Sequence, residues 1–145
     1  MGELPAQRPK DITIVDMEAS IEHLTRGTVR NVDALLVVAE PYYRSLETAG
    51  RLVPLAHELG LERVWVVANK LRNPRDEEAV RTYCAGHGLE MIAAVPFDEA
   101  IVEADQEGRA LIDHRSSAPA VLAVAGLART LRERLNGKDN ERDEG

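Results

Sequence analysis

The chain has 145 residues, of which 44% are hydrophobic, and this suits one globular domain with a buried core. Its 18 basic and 25 acidic residues give a net charge of -7, which argues against general electrostatic binding to nucleic acid or to an anionic membrane. A single cysteine, Cys84, excludes an internal disulfide, and no apolar run approaches the roughly 20 residues of a membrane span. We therefore expect a cytoplasmic protein without a nucleic-acid partner or a membrane span.

The sequence divides into three segments. Residues 1–10 contain two prolines and no periodicity, so we interpret them as an irregular lead-in. Residues 11–136 form the predicted domain, and residues 137–145 form a mostly charged tail.

Four apolar runs in the domain predict buried parallel strands, because none shows the alternation of a half-exposed strand. The runs are residues 12–15, 34–39, 63–69 and 91–95. Predicted helices run from a cap at Ser45 to a stop at Gly60, from Asn73 to Gly86 or Gly88, from 98 to 107 and from 117 to 135. This order predicts an α/β fold, a parallel sheet with flanking helices and right-handed crossovers.

Each predicted strand ends in, or is followed by, a polar residue; these residues are Asp16, Glu40, Asn69 and Asp98. In an open parallel sheet the C-terminal strand ends share one edge, and ligands bind beyond that edge. We therefore expect these side chains to surround a common site.

The first strand is followed by a group of acids with one histidine: Asp16, Glu18, Glu22 and His23. A carboxylate directly after a buried strand is well placed to hold Mg2+, which prefers oxygen ligands and keeps much of its water. The alternative for Asp16 is a cap on the next segment. A histidine beside acids is more often hydrogen-bonded than a ligand, so His23 carries less weight.

The third and fourth strands end in Asn69-Lys70 and in Pro96-Phe97-Asp98. An asparagine amide has a donor and an acceptor, so it can pair with a purine edge, while a lysine stem can pack over a ring. A turn-forming asparagine and an N-cap aspartate are the alternatives. The three strand ends together favour a ligand site more than any one of them does.

The usual phosphate-binding motifs do not occur in the sequence. There is no G-x-x-x-x-G-K-[ST], and the one Gly-Lys pair, Gly137-Lys138, lies in the charged tail. A Gly-x-Ser-x-Gly elbow and a Gly-x-Gly-x-x-Gly fingerprint are also absent. This chain encodes no phosphate cradle.

Four stretches together give the chain a resemblance to a known family. They are Ile14-Val-Asp-Met-Glu-Ala-Ser-Ile-Glu-His23 with Arg26-Gly27, Val37-Val-Ala-Glu-Pro41 with Ser45-Leu-Glu-Thr-Ala49, Val67-Ala-Asn-Lys70, and Val95-Pro-Phe-Asp98. In this order the chain resembles the C-terminal half of MinD/ParA-type P-loop ATPases of the SIMIBI class, in particular the CooC branch that serves carbon monoxide dehydrogenase maturation. The implied fold is a partial P-loop NTPase fold that lacks the P-loop strand.

The resemblance implies catalytic roles near the first strand. Asp16 is similar to the switch II aspartate that acts near Mg2+ and the γ-phosphate, and Glu18 stands beside it as the second implied catalytic residue. Glu18 also belongs, with Glu22, His23 and Arg26, to the acidic signature of the CooC branch.

Binding roles are implied at the other strand ends. Asn69 and Lys70 resemble the base-reading pair, and Pro96, Phe97 and Asp98 resemble the loop that lines the adenine. ATP and Mg2+ are the implied cofactors. A homodimer and a metalloenzyme client that receives nickel are the implied partners.

The resemblance covers only part of the family's sequence. The P-loop strand, with its lysine and threonine, is missing, and in the family it lies between the strands that correspond here to residues 12–15 and 34–39. This chain alone would therefore leave a gap or an unpaired edge, and loss of the phosphate cradle should remove most ATP hydrolysis. We interpret the chain as truncated relative to the family, and the sequence leaves open whether it is an enzyme on its own.

Two functional hypotheses follow. The first is the adenine-binding and switch II half of a CooC/MinD-like ATPase linked to nickel metalloenzyme maturation, inactive without the missing part. The alternative is a stand-alone, non-catalytic binding or scaffold domain that retains the half-fold. A receiver-like or flavodoxin-like domain fits less well, because the strand-end acids of this chain are not arranged as a receiver requires. A cluster of acids at the first strand would also need a matching lysine late in the chain.

Overall fold

The computed structural model of the chain describes residues 11–17 and 21–143. In this part three parallel strands form one sheet in the order β1 (Leu35–Ala39), β2 (Val64–Leu71) and β3 (Met91–Pro96). Ala39 lies opposite Ala68, which in turn lies opposite Ala94, so the three strands end near one another. The predicted α/β fold with a parallel sheet is confirmed.

Helices connect the strands and pack on the sheet. They are α1 (Arg26–Arg30), α2 (Tyr43–Glu58), α3 (Pro74–Gly86), α4 (Glu99–Gln106), α5 (Leu111–His114) and α6 (Pro119–Asp143), and a 3-10 turn spans Ile21–His23. The sequence contains familiar signals for two of their ends. The Asn73 Oδ1 accepts a hydrogen bond from the Asp76 N–H at 2.9 Å and so caps α3, while Gly60, with a φ of +99°, follows the end of α2.

Two predicted helix boundaries are wrong. Helix α2 begins at Tyr43 rather than after a cap at Ser45, because the Ser45 Oγ instead accepts a hydrogen bond from the Glu40 N–H at 2.8 Å. Helix α6 continues past residue 135 to Asp143, into the segment predicted as a separate tail. The part of that segment within α6 contains one lysine, one glutamate and one arginine, which favour helices, and its charge alone does not stop α6.

The core has two layers, one on each face of the sheet. Along β2 the side chains alternate, so that Val66 and Ala68 pack with α2 and α3, while Val67 packs with α6. Strands covered on both faces need apolar residues at successive positions. The apolar runs without alternation in the sequence are explained by this three-layer arrangement.

The first predicted strand, residues 12–15, is wrong, because this segment has no strand pairing in the described part. The Ile14 side chain, which was expected in the core, is 88% exposed. Among the described residues β1 pairs only with β2, and Val38 in β1 is 57% exposed. The resemblance places a further strand between residues 12–15 and β1, and without that neighbour the segment has nothing to pair with.

A polar network ties α6 to the sheet. The Trp65 Nε1 donates a hydrogen bond to Glu90 Oε2 at 3.0 Å, and the Arg134 guanidinium lies 5.2 Å from the Trp65 ring centroid. Arg134 also forms an ion pair with Glu90 Oε1 at 2.6 Å. A buried indole N–H needs an acceptor, and Glu90 provides it. Because Trp65 is the one tryptophan of the chain, its fluorescence reports on this contact.

Replacing Val66 by alanine should lower the free energy of unfolding by about 2–3 kcal/mol, because buried methyl groups are lost and a cavity is left in the central strand. Val38→Ala is the matched control and should cost less than about 0.5 kcal/mol, since that side chain is mostly exposed. Urea titration followed by Trp65 fluorescence measures both values. Equal losses would contradict the position of β2 at the centre of the core.

Candidate functional site

The C-terminal ends of the three strands meet at one edge of the sheet. The described residues at this edge are Glu40 after β1, Asn69 and Lys70 in β2, and Pro96, Phe97 and Asp98 at the end of β3. The Phe97 N–H donates a hydrogen bond to the Leu71 carbonyl at 2.8 Å, which joins the ends of β2 and β3. The sheet therefore brings the predicted base-binding residues into one region.

A β-bulge interrupts β2 at the predicted base-reading pair. Asn69 and Lys70 together stand opposite one residue of β3, Val95. Lys70 has a φ of +56°, and in the described part it is the one non-glycine residue with positive φ. Bulges bend a strand, re-aim its side chains and are enriched beside functional sites. The strand predicted to end at Asn69 continues through this bulge to Leu71.

The Asn69 side chain is partly buried and makes no hydrogen bond with any other described residue. A partly exposed amide can hydrogen-bond to water, and a ligand can replace that water. Asn69 therefore has both a donor and an acceptor available at the edge of the sheet.

Lys70 reaches across the sheet edge to the end of β1. Its Nζ lies 2.6 Å from Glu40 Oε1. The hydrogen bond that Lys70 donates to Glu40, together with the charge of that carboxylate, raises the pKa of Lys70 above its ordinary value. Sequence reasoning missed this partnership, although opposite charges after two adjacent strands were a signal for it.

An exposed cation and an aromatic ring form a second feature of the edge. The Arg72 guanidinium lies 5.1 Å from the Phe97 ring centroid, a cation–π arrangement. The backbone of Arg72 is fixed because its N–H donates to Asp76 Oδ2 at 2.9 Å. Sequence reasoning did not single out Arg72, although its place directly after β2 puts it at the same edge.

Both carboxylate oxygens of Asp98 are used by the fold. Its Oδ1 accepts a hydrogen bond from the Ala100 N–H at 3.0 Å, and its Oδ2 accepts one from the Ala120 N–H at 3.1 Å. The first bond caps α4, which confirms the alternative of an N-cap aspartate. The second ties the start of α6 to the loop that contains Phe97.

The predicted catalytic residues are not joined to this edge by any described contact. Asp16 is exposed and makes no hydrogen bond or ion pair with another described residue, and Glu18 lies outside the described residues. Glu22 and His23 lie in the 3-10 turn, where the His23 carbonyl accepts a hydrogen bond from Thr28 Oγ1 at 3.2 Å. Residues 12–15 are not part of the sheet in the described structure, and the expected position of Asp16 beside the other strand ends stays a prediction.

Residues 11–17 and 21–143 contain no group of three histidine, cysteine, aspartate or glutamate side chains that could hold a metal ion. Mg2+ usually takes one or two carboxylates together with phosphate and water oxygens. Asp16 alone therefore fits Mg2+ only as a partial ligand set, to be completed by the phosphates of a nucleotide. In the same described ranges, no helix has the length and apolar character to cross a membrane.

No profile of a known protein family matches the chain, but individual proteins do. Its fold is similar to MinD in the MinC:MinD cell division complex of Aquifex aeolicus, with a TM-score of 0.65 and 23% identity over 77% of this chain. A ParA family ATPase of Chlorobium tepidum gives a TM-score of 0.60 at 23% identity over 72% of this chain. These likenesses show the fold, an α/β arrangement of the MinD/ParA P-loop NTPase type.

Sequence comparison identifies relatives. Over 104 residues, or 72% of the chain, it is 40% identical to the carbon monoxide dehydrogenase accessory protein CooC of Rhodospirillum rubrum. The chain is thus a homologue of CooC and of other ATP-binding proteins. Another of them, 40% identical over 100 residues, is an uncharacterized ATP-binding protein of Methanocaldococcus jannaschii.

This CooC homologue corresponds to only part of its relatives. It spans 39% of the Rhodospirillum CooC and 38% of the Methanocaldococcus protein. Likewise it covers 47% of the Aquifex MinD chain. The resemblance to a partial P-loop NTPase is therefore confirmed.

Replacing Asp98 by alanine should lower the free energy of unfolding by about 2 kcal/mol, because the backbone N–H groups at the starts of α4 and α6 each lose a charged acceptor. Asp105→Ala is a matched control, since that carboxylate is exposed near the end of α4 and should change stability by less than about 0.5 kcal/mol. Urea unfolding measures both. An Asp98 variant as stable as the control would contradict the double anchoring role.

Proposed function

We propose that this CooC-like chain supplies the adenine-binding and switch II part of an ATP-binding protein, inactive in hydrolysis without a segment that carries a P-loop. The Asn69 amide at the edge of the sheet, which has no hydrogen-bond partner among the described residues, is the observation that carries this proposal. Its donor and acceptor match the hydrogen-bonding edge of adenine. The exposed Arg72–Phe97 pair adds a cation and a ring against which a base stacks.

The triphosphate is the part of ATP that the described residues do not fit. Phosphates are held by the N–H groups of a Gly-rich loop and by a lysine, and this chain has no such loop. We propose that the missing segment adds a strand beside β1. The unpaired edge of β1 and the exposed Val38 support this position, since a parallel sheet is normally covered on both faces.

Our proposal for the partners is based on one relative, the carbon monoxide dehydrogenase accessory protein, because its name states a role. On this basis we propose a metalloenzyme client, with nickel as the delivered metal, and a homodimer as the working form. When ATP is bound, Mg2+ would screen its phosphate charge, and Asp16 is the carboxylate of this chain proposed to face the ion. A cytoplasmic location stays a prediction from the sequence.

Joining the chain to the unmatched part of the Rhodospirillum CooC should restore Mg2+-dependent ATP binding. We expect ATP to bind at least about tenfold more tightly to the fusion than to the chain alone, because the phosphates gain charged hydrogen bonds. Isothermal titration calorimetry measures both affinities. A folded fusion that binds no better than the chain would favour the alternative, a non-catalytic binding or scaffold domain.

In that fusion, Asp16→Ala should lower the ATP hydrolysis rate at least about 100-fold, because a charge that organises the Mg2+ and γ-phosphate region is lost. The circular dichroism spectrum should not change, since Asp16 is exposed. Asp11→Ala is the control in the same segment and should keep the rate. Turnover like that of the unmodified fusion in the Asp16 variant would overturn its catalytic assignment.

Asn69→Ala should weaken ATP binding to the fusion about tenfold through the loss of hydrogen bonds to adenine. Stability should change by less than about 0.5 kcal/mol, because the amide makes no hydrogen bond with another described residue. Asn136→Ala, at an exposed position in α6, is the control for both measurements. An unchanged ATP affinity in the Asn69 variant would count against the base-reading role.

A further inference from the structure

Lys70 occupies a backbone conformation that its side chain disfavours. Its φ of +56° lies in the left-handed region, where glycine is at home and a residue with a Cβ is strained. The strain occurs inside the bulge of β2, directly after the unpaired Asn69. Such strained residues persist when surrounding contacts hold them, and they cluster at functional sites.

The side chain of Lys70 contacts the neighbouring strand. Its Nζ is 2.6 Å from Glu40 Oε1, at the end of β1. Glu40 is itself fixed, because its N–H donates to Ser45 Oγ at 2.8 Å in the first turn of α2. A continuous set of contacts therefore runs from α2 through Glu40 and Lys70 to the bulge.

We propose that Glu40 and Lys70 form a positioning pair that maintains the left-handed turn of the bulge and so orients the Asn69 amide toward a purine base. This inference rests on the proposed adenine site and assigns Lys70 a role different from direct contact with the base. The lysine charge is already directed to a carboxylate of the neighbouring strand. Glu40 thus becomes a determinant of base binding without contacting the base.

A Lys70→Gly substitution distinguishes a backbone-positioning role of Lys70 from direct contact between Lys70 and the base. Lys70→Ala removes the ion pair but keeps a Cβ in the left-handed region, whereas Lys70→Gly removes the ion pair and also the strain. If the pair acts by holding the backbone, glycine should rescue what alanine loses. If the lysine contacts the base, glycine should be as defective as alanine.

The test is a nuclear magnetic resonance titration of the full chain with adenosine and with guanosine, nucleosides that need no phosphate cradle. We expect Glu40→Gln and Lys70→Ala each to weaken adenosine binding about two- to fivefold, the range of a surface ion pair, and to reduce the preference over guanosine. Lys70→Gly should recover at least half of the lost affinity. Residue 70 should lose the strong intraresidue HN–Hα contact of positive φ in the Glu40→Gln variant.

Glu47→Gln is the matched control, because it breaks an ion pair of the same length, 2.6 Å to Arg51, on α2. It should leave adenosine binding unchanged. An affinity of Lys70→Gly no better than that of Lys70→Ala would overturn the positioning role in favour of direct contact. Unchanged adenosine binding in the Glu40→Gln variant would overturn the positioning role and leave the pair as a surface contact only. A wild-type chain that does not bind adenosine would overturn the proposed adenine site itself, which separates the two failures.

Discussion

The parallel pairing of β2 with β1 and β3 is the constraint on which the rest of the structure depends. It places the C-terminal ends of three strands at one edge, and it requires apolar residues on both faces of the central strand. Because the strands end together, Glu40 can reach Lys70, and Phe97 can bond to Leu71. The position of the proposed base-binding residues therefore follows from the register of the sheet, and the helices serve to cover the sheet and to anchor its loops.

Much of this fold was accessible from the sequence, because buried parallel strands leave uninterrupted apolar runs and helices carry local signals such as Asn73 and Gly60. The conformation of residues 12–15 was not accessible from the sequence. Their composition is right for a strand, but a strand forms only where a neighbouring strand is present to pair with it. The predicted start of α2 was also wrong, because it depends on a contact with a residue outside the helix. Ser45 has the composition of a cap, but its hydroxyl accepts from the Glu40 N–H instead.

The positions of the candidate residues in β2 and after β3 were predicted in outline and their contacts were not, while their binding roles stay predictions. Strand ends identified Asn69, Lys70 and the loop from Pro96 to Asp98, because parallel topology fixes where ends meet. Three features depend on three-dimensional geometry that no local pattern encodes. They are the left-handed φ of Lys70, the guanidinium over Phe97 and the second hydrogen bond of Asp98, from the Ala120 N–H. The described part of the structure contains no phosphate cradle, and the sequence contains no motif for one.

The central claim is that this chain holds the base of ATP and not its phosphates. Comparing the affinity of the unmodified chain for adenosine and for Mg2+-ATP, from the chemical shifts of Asn69 and Phe97, tests it most directly. The account predicts affinities within about threefold of each other, with the same residues shifting, because triphosphate contacts contribute little here. An affinity for Mg2+-ATP more than about tenfold tighter would contradict it, since phosphate-binding groups would then have to lie within this chain.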